Sequence, residues 1–177
     1  TLWPAQQQLV NPPQLDPLVI TFYQGGVGCG KTFGACYFGI QQAMAQPYTT
    51  GLVLSKYNAT WKDTVLPLYE LLLNDAGYHM GEDVLWLNSE KTLLFANGSK
   101  IMFRCVNKNS SPLPNNVTWI HVEDADNWQE QQFTRLQALL RQTQAQQLHL
   151  LATYQPPDNP RHWLYSWVYC QPVCDYV

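Results

Sequence analysis

Gly25-Gly26-Val27-Gly28-Cys29-Gly30-Lys31-Thr32 fits the pattern G-x-x-x-x-G-K-[ST], a loop whose backbone wraps phosphate. Glycines let the chain curl so that successive N–H groups point inward at phosphate oxygens. Val27 and Cys29 belong to the loop through their backbone, and the Cys29 side chain is a passenger. Lys31 is expected to reach the β and γ phosphates as a compact positive charge, and Thr32 to offer its hydroxyl to Mg²⁺. A helix starting at the loop adds its positive N-terminal end to the anion site.

The flanking sequence supports this reading. Leu18-Val19-Ile20-Thr21-Phe22-Tyr23 is a β-branched and aromatic run that ends in the glycines, so it reads as a buried strand. Phe33 to Met44 has helical length and meets no proline until Pro47. Strand, glycine loop and helix is the order the phosphate-binding reading requires.

Further along, Gly51 to Lys56 reads as a second strand, and Thr60 to Asn74 carries a helical apolar stripe. Pro67 falls inside that stripe, so the helix is expected to kink or to begin near it. Val84–Leu87, Thr92–Phe95 and Lys100–Arg104 are short strands, the last two joined at Asn97-Gly98, a strong hairpin signal. Residues 107–116 form a polar loop before the strand Val117–Val122. A helix over Asn127–Gln144, a last strand over Leu148–Thr153 and a Pro- and aromatic-rich tail complete the chain. Strands alternating with helices predict an α/β fold with a mostly parallel, covered sheet and an inserted antiparallel hairpin.

The bulk properties agree with an enzyme-sized globular domain. The 177 residues are 46% hydrophobic and 13% charged, enough for one domain with a sizeable core. The net charge of −3 argues against a broad basic surface for nucleic acid, although a local DNA-contacting loop stays open. No apolar run approaches the roughly 20 residues that span a bilayer. The 5 cysteines show no recurring pair spacing; Cys170 and Cys174 lack a second pair to complete a zinc site, so free thiols in a reducing cytosol are expected. The chain opens on Thr1 rather than Met, so it is expected to be a processed or trimmed piece of something longer.

Glu123-Asp124 ends the strand before it in two adjacent acids. A nucleoside triphosphatase needs an acid at a strand end to hold Mg²⁺ and another to orient the attacking water. We assign Glu123 to the metal and Asp124 to the general base, with Asp126 a spare carboxylate. The order in such enzymes is usually Asp then Glu, and here it is reversed. A solvated acidic helix start is the alternative. Thr153 ends the last strand beside this site and can sense the γ-phosphate. Asn107-Lys108 opens like a guanine-reading motif, but Ser110 breaks the match. The 4 arginines, 104, 135, 141 and 161, are not clustered as a small-molecule kinase lid would want.

Together these blocks resemble the ATPase domain of the large terminase subunit of tailed bacteriophages. The likeness rests on Gly25–Thr32, on Gly51–Leu73 with Lys56, on Asn97–Arg104, on Glu123-Asp124-Ala125, on Leu139-Leu140-Arg141, and on Thr153-Tyr154-Gln155-Pro156-Pro157 followed by His162-Trp163-Leu164-Tyr165. It implies an ASCE/RecA-like P-loop NTPase and a Mg-dependent ATPase that moves double-stranded viral DNA into a procapsid. Expected partners are the DNA, a portal protein, a small terminase subunit and further copies in a ring, a pentamer, in the cytoplasm of an infected bacterium and without a membrane. Thr153 would then be the coupling residue.

The resemblance also implies one ATPase domain over 1–177. Residues 1–17 form an extended N-terminal segment, and 160–177 begin a linker toward an RNase H-like nuclease domain that is missing, so this piece should not cut DNA. Three departures stand out. Gln155 occupies the usual asparagine position. Ser110-Ser111-Pro112-Leu113-Pro114 lacks the arginine that completes a neighbour's site, leaving Arg104 or Lys108 as substitutes. The nuclease domain that the resemblance implies is expected to lie outside this piece. A helicase-like DNA-remodelling ATPase and a nucleotide-binding assembly module with little turnover remain as alternatives.

Overall fold

The apolar runs of this chain are too short to be helices, and they become the strands of a single sheet. These are Leu18–Gln24 (β1), Thr50–Ser55 (β2), Val84–Leu87 (β3), Thr92–Phe95 (β4), Lys100–Cys105 (β5), Trp119–Val122 (β6) and Leu148–Tyr154 (β7). The structure is a computed structural model that describes residues 6, 18–106, 113–142 and 147–169. Strand order is β1-β7-β6-β2-β5-β4-β3. The five strands from β1 to β5 in that order run parallel, and β4 and β3 follow antiparallel. The Asn97-Gly98 turn closes the β4–β5 hairpin, with the Phe95 N–H donating to the Ser99 carbonyl at 2.9 Å.

Helices cover both faces. Lys31–Ala45 (α1) and Leu66–Asp75 (α2) lie on one, and Glu130–Leu136 (α3) and Trp163–Tyr169 (α4) on the other. Strand side chains alternate accordingly. Val53, Phe103, Trp119 and Leu151 pack with the α1 and α2 side, while Leu52, Leu54, Ile120, Val122 and Leu150 pack with Phe133, Leu136 and Leu164. The approach of β6 to β2 is close: a Cβ on Gly51 would lie 2.0 Å from the Trp119 ring, so only glycine fits.

Two elements depart from the sequence reading. The helix expected over Asn127–Gln144 is cut at both ends: Ala125–Asn127 is a 3₁₀ turn, Trp128 and Gln129 are extended, and α3 runs only from Glu130 to Leu136. Gln129 and Gln132 form a capping box at its start, and after a 3₁₀ turn Leu140 leaves helical geometry to bridge Val117. That bridge is also why β6 begins at Trp119 and not at Val117. The expected helix start near Pro67 is found, since α2 begins at Leu66 with Pro67 in its first turn, and Thr60–Val65 before it is a π-helical turn. Proline has no N–H to give and crowds the carbonyl four residues back, which a widened turn relieves. The tail contains α4, which the sequence reading left without structure.

Candidate functional site

β1 delivers the chain into the loop, and the Gly25 N–H donates to the Tyr154 carbonyl at 3.2 Å, tying the loop to the end of β7. Gly28 and Gly30 have φ of 77° and 81°, the left-handed region where a side chain is strained. Gly30 caps α1, whose first turn holds no acid, so nothing on the helix itself neutralises its positive end. Lys31 is 7% exposed. Its Nζ donates to the carbonyls of Gly25 and Gly26 at 2.9 Å each, folding the side chain back across the loop. The Gln6 amide donates to the Gly30 carbonyl at 3.1 Å, so the N-terminal segment touches the loop at this residue. The rest of residues 1–17 lies outside the described residues.

Glu123 sits one residue beyond β6 and is buried. Its Oε1 accepts from the Thr32 hydroxyl. Its Oε2 accepts from the Thr153 hydroxyl at 2.7 Å and from Nε2 of His121 at 2.8 Å. An ionised carboxylate only accepts, so His121 Nε2 carries the hydrogen. Burial pushes the Glu123 carboxyl up, but the His121 hydrogen bond and charge, with Thr32 and Thr153, more than offset this and hold it below its usual value. The Glu123 backbone is fixed as well, its N–H donating to the Leu54 carbonyl at 2.8 Å and its carbonyl accepting from the Trp128 indole at 3.3 Å.

Asp124 has φ 52° and ψ 55°, a left-handed conformation that aspartate tolerates better than most residues. Its backbone N–H donates to the Thr153 hydroxyl at 3.4 Å. Burial, then the charges of Glu123 and Asp126, push its carboxyl up to about 6 against the opposing pull of Lys31 and His121. A proton acceptor with its affinity raised toward neutrality lies beside a carboxylate held ionised.

Thr32 and Thr153 therefore converge on Glu123, with Asp124 next to it in the chain and Lys31 folded across the loop. Asp126 is not a spare carboxylate. Its Oδ1 accepts from the Gln155 N–H at 3.1 Å and its carbonyl from His162 Nε2 at 3.1 Å, clasping the segment after β7 to the turn after β6. Lys56 donates to the Asn127 carbonyl at 2.6 Å. Arg104 is engaged within its own chain, donating to the carbonyls of Glu90 at 2.7 Å and Phe103 at 2.8 Å. Lys108, Ser110 to Pro112, Cys170 and Cys174 lie outside the described residues. His121 is the site residue that the sequence reading missed. Its signal was present: one polar residue in the apolar strand Trp119-Ile120-His121-Val122, two places before the carboxylate and so on the same face.

β7 lies between the strand that carries the glycine loop and the strand that carries the carboxylate, and both open onto the loop at their carboxyl ends. Sheet order and loop together define a P-loop fold, with one additional strand between the loop strand and the acid-bearing strand. Residues 19–175 match the model of the phage terminase large subunit family, and the chain belongs to that family. Among solved structures, the large terminase of a thermophilic bacteriophage in complex with ADP superimposes with a TM-score of 0.74 at 16% identity, over 94% of this chain and 42% of that one. The HK97 bacteriophage large terminase gives 0.71 at 13%, over 95% and 36%. The ATPase domain of the Thermus phage P74-26 large terminase gives 0.64 at 12%, over 94% and 69%. At these identities the likeness is one of fold. This chain spans less than half the length of the first two of these proteins. Comparison with curated proteins gave no match. Among the described residues, no helix is long and apolar enough to cross a membrane.

Proposed function

We propose that this chain is the ATP-hydrolysing motor domain that powers translocation of viral double-stranded DNA into a procapsid. The observation that carries the proposal is Glu123, one carboxylate that accepts from the loop's Thr32 and from the strand-end Thr153. Backbone N–H groups within Gly26–Thr32 bind the phosphates. Lys31 leaves the Gly25 and Gly26 carbonyls for the β and γ phosphates, which offer it fuller negative charge. The Thr32 hydroxyl and Glu123 carboxylate are adjacent hard oxygen donors of the kind Mg²⁺ prefers. Among the described residues no three His, Cys, Asp or Glu side chains converge on a metal site, so the ion would complete its shell with phosphate oxygens and water. Mg²⁺ held by Thr32 and Glu123 would supply positive charge against the negative charge that develops on the phosphates.

Asp124 takes a proton from the attacking water. Thr153, bonded to Glu123 and to the Asp124 backbone, exchanges these partners for the γ-phosphate, and the Asp126–Gln155 clasp passes its position to the segment ending in α4. DNA, a portal protein, a small terminase subunit and further copies in a pentameric ring are the partners this role requires, in the cytoplasm of the infected host. Supporting this reading, related large-terminase structures from a thermophilic bacteriophage hold ADP and ATP-γ-S.

The test is ATP hydrolysis measured with Mg²⁺ across protein concentration, with and without double-stranded DNA. Turnover that rises more steeply than protein concentration supports a site completed by assembly. Strand unwinding would favour a helicase, and tight ATP binding without turnover under every condition would favour a nucleotide-binding assembly module.

A further inference from the structure

We propose that His121 is a positioning residue for Glu123, holding one carboxylate oxygen fixed so that the other faces Thr32 and the metal. The inference rests on the reading of Glu123 and Thr32 as the metal pair. Of the three side chains that donate to Glu123, two have competing duties at the loop. Thr32 is expected to turn to the metal and Thr153 to the γ-phosphate, whereas His121 is 0% exposed and has no second duty there. In the sheet register His121 lies between Val53 and Leu151, both buried and apolar, and neither side chain offers its ring a hydrogen bond. Its second nitrogen, Nδ1, is buried with no hydrogen-bond partner among the described residues. An orphaned buried polar atom is costly, and a valine or leucine would fill this strand position without one. The bond from Nε2 to Glu123 is what histidine adds here. When Thr32 and Thr153 exchange partners, that bond keeps Oε2 occupied and the plane of the carboxylate set.

The experiment measures how much Mn²⁺ tightens binding of ATP-γ-S to the full chain, as the ratio of the nucleotide dissociation constants in EDTA and in Mn²⁺. His121→Leu removes the donor; His121→Gln places an amide N–H near the lost Nε2, and His121→Asn places one near Nδ1. Expected is an unchanged affinity in EDTA for all three, since the loop backbone and Lys31 are untouched. The Mn²⁺-dependent tightening should fall by about 10–100-fold in His121→Leu and His121→Asn, and recover in His121→Gln. Full tightening in His121→Leu, or equal tightening in His121→Gln and His121→Asn, overturns the inference. If His121→Leu does not fold, as judged by circular dichroism, the Gln and Asn pair decides alone. If the wild-type chain binds ATP-γ-S with no gain from Mn²⁺, the metal reading of Thr32 and Glu123 falls first, before any His121 variant is consulted.

Discussion

Thr32, His121 and Thr153 come from one helix and two strands, yet all end on Glu123. Such a buried charge is stable only while its donors hold, each charged hydrogen bond contributing about 1.5–3 kcal/mol. Two substitutions separate binding from chemistry here. Lys31→Ala is expected to abolish tight ATP binding, read by calorimetry. Asp124→Asn should leave binding intact, because asparagine suits the same left-handed backbone, and should lower turnover by about 10²–10⁴-fold, read in a phosphate-release assay. A third prediction concerns pH. Burial holds the His149 imidazole, packed against Phe38, at about 4, below its usual 6.5. Between those values the unfolded chain takes up a proton that the folded chain refuses. The His149 contribution is therefore intact above about 6.5, and the penalty grows as pH falls toward 4. His149→Leu should lose less of its urea midpoint than wild type between about pH 7.5 and pH 4.5. The raised Asp124 works in the opposite direction, but it is common to both proteins and cancels in the comparison. Lys31, Thr32, Glu123 and Thr153 were legible in the sequence because each closes a recognisable motif or strand. His121 was not, because a lone histidine in an apolar strand reads equally well as core filler.

Elements were legible where one local force decides them. β1 through β5 and β7 follow from short β-branched and aromatic runs bounded by glycine, proline and asparagine, and the β4–β5 hairpin from Asn97-Gly98. α3 was overread because its apolar residues keep helical spacing on past Leu136. Tertiary pairing of Leu140 with Val117 ends the helix, and no residue nearby advertises that partner. The Gln129 cap was equally silent, since glutamine is an unusual start signal. α4 is short and carries no cap signature; it is held by contacts distant in sequence, the indoles of Trp163 and Trp167 donating to the Trp128 carbonyl at 2.8 Å and to Glu130 at 2.7 Å. Gly51 gives the sharpest prediction at this scale. Gly51→Ala forces the Trp119 ring to move inside a closed core, and should destabilise the fold by about 1–3 kcal/mol in urea melts while leaving the phosphate loop's residues unaltered.

At the scale of the molecule, the α/β class and the mostly parallel sheet were legible from the alternation of strands and helices. The strand order was not, because which strands become neighbours depends on packing that no window of sequence contains. That order has a consequence in time. β1 pairs only with β7 among the described strands, and its partner for Leu18 is Leu148, 130 residues later. A ribosome adding about 5–20 residues per second leaves an interval on the order of ten seconds between them. Through that interval the glycine loop exists as covalent structure without the strand that anchors it, and Leu18 to Tyr23 waits as an unpaired apolar ribbon. A chain released at Arg141 should therefore bind no ATP and should aggregate, as equilibrium dialysis and light scattering would report. Nucleotide cannot template the early stages of folding of this protein; it can only reward the final one.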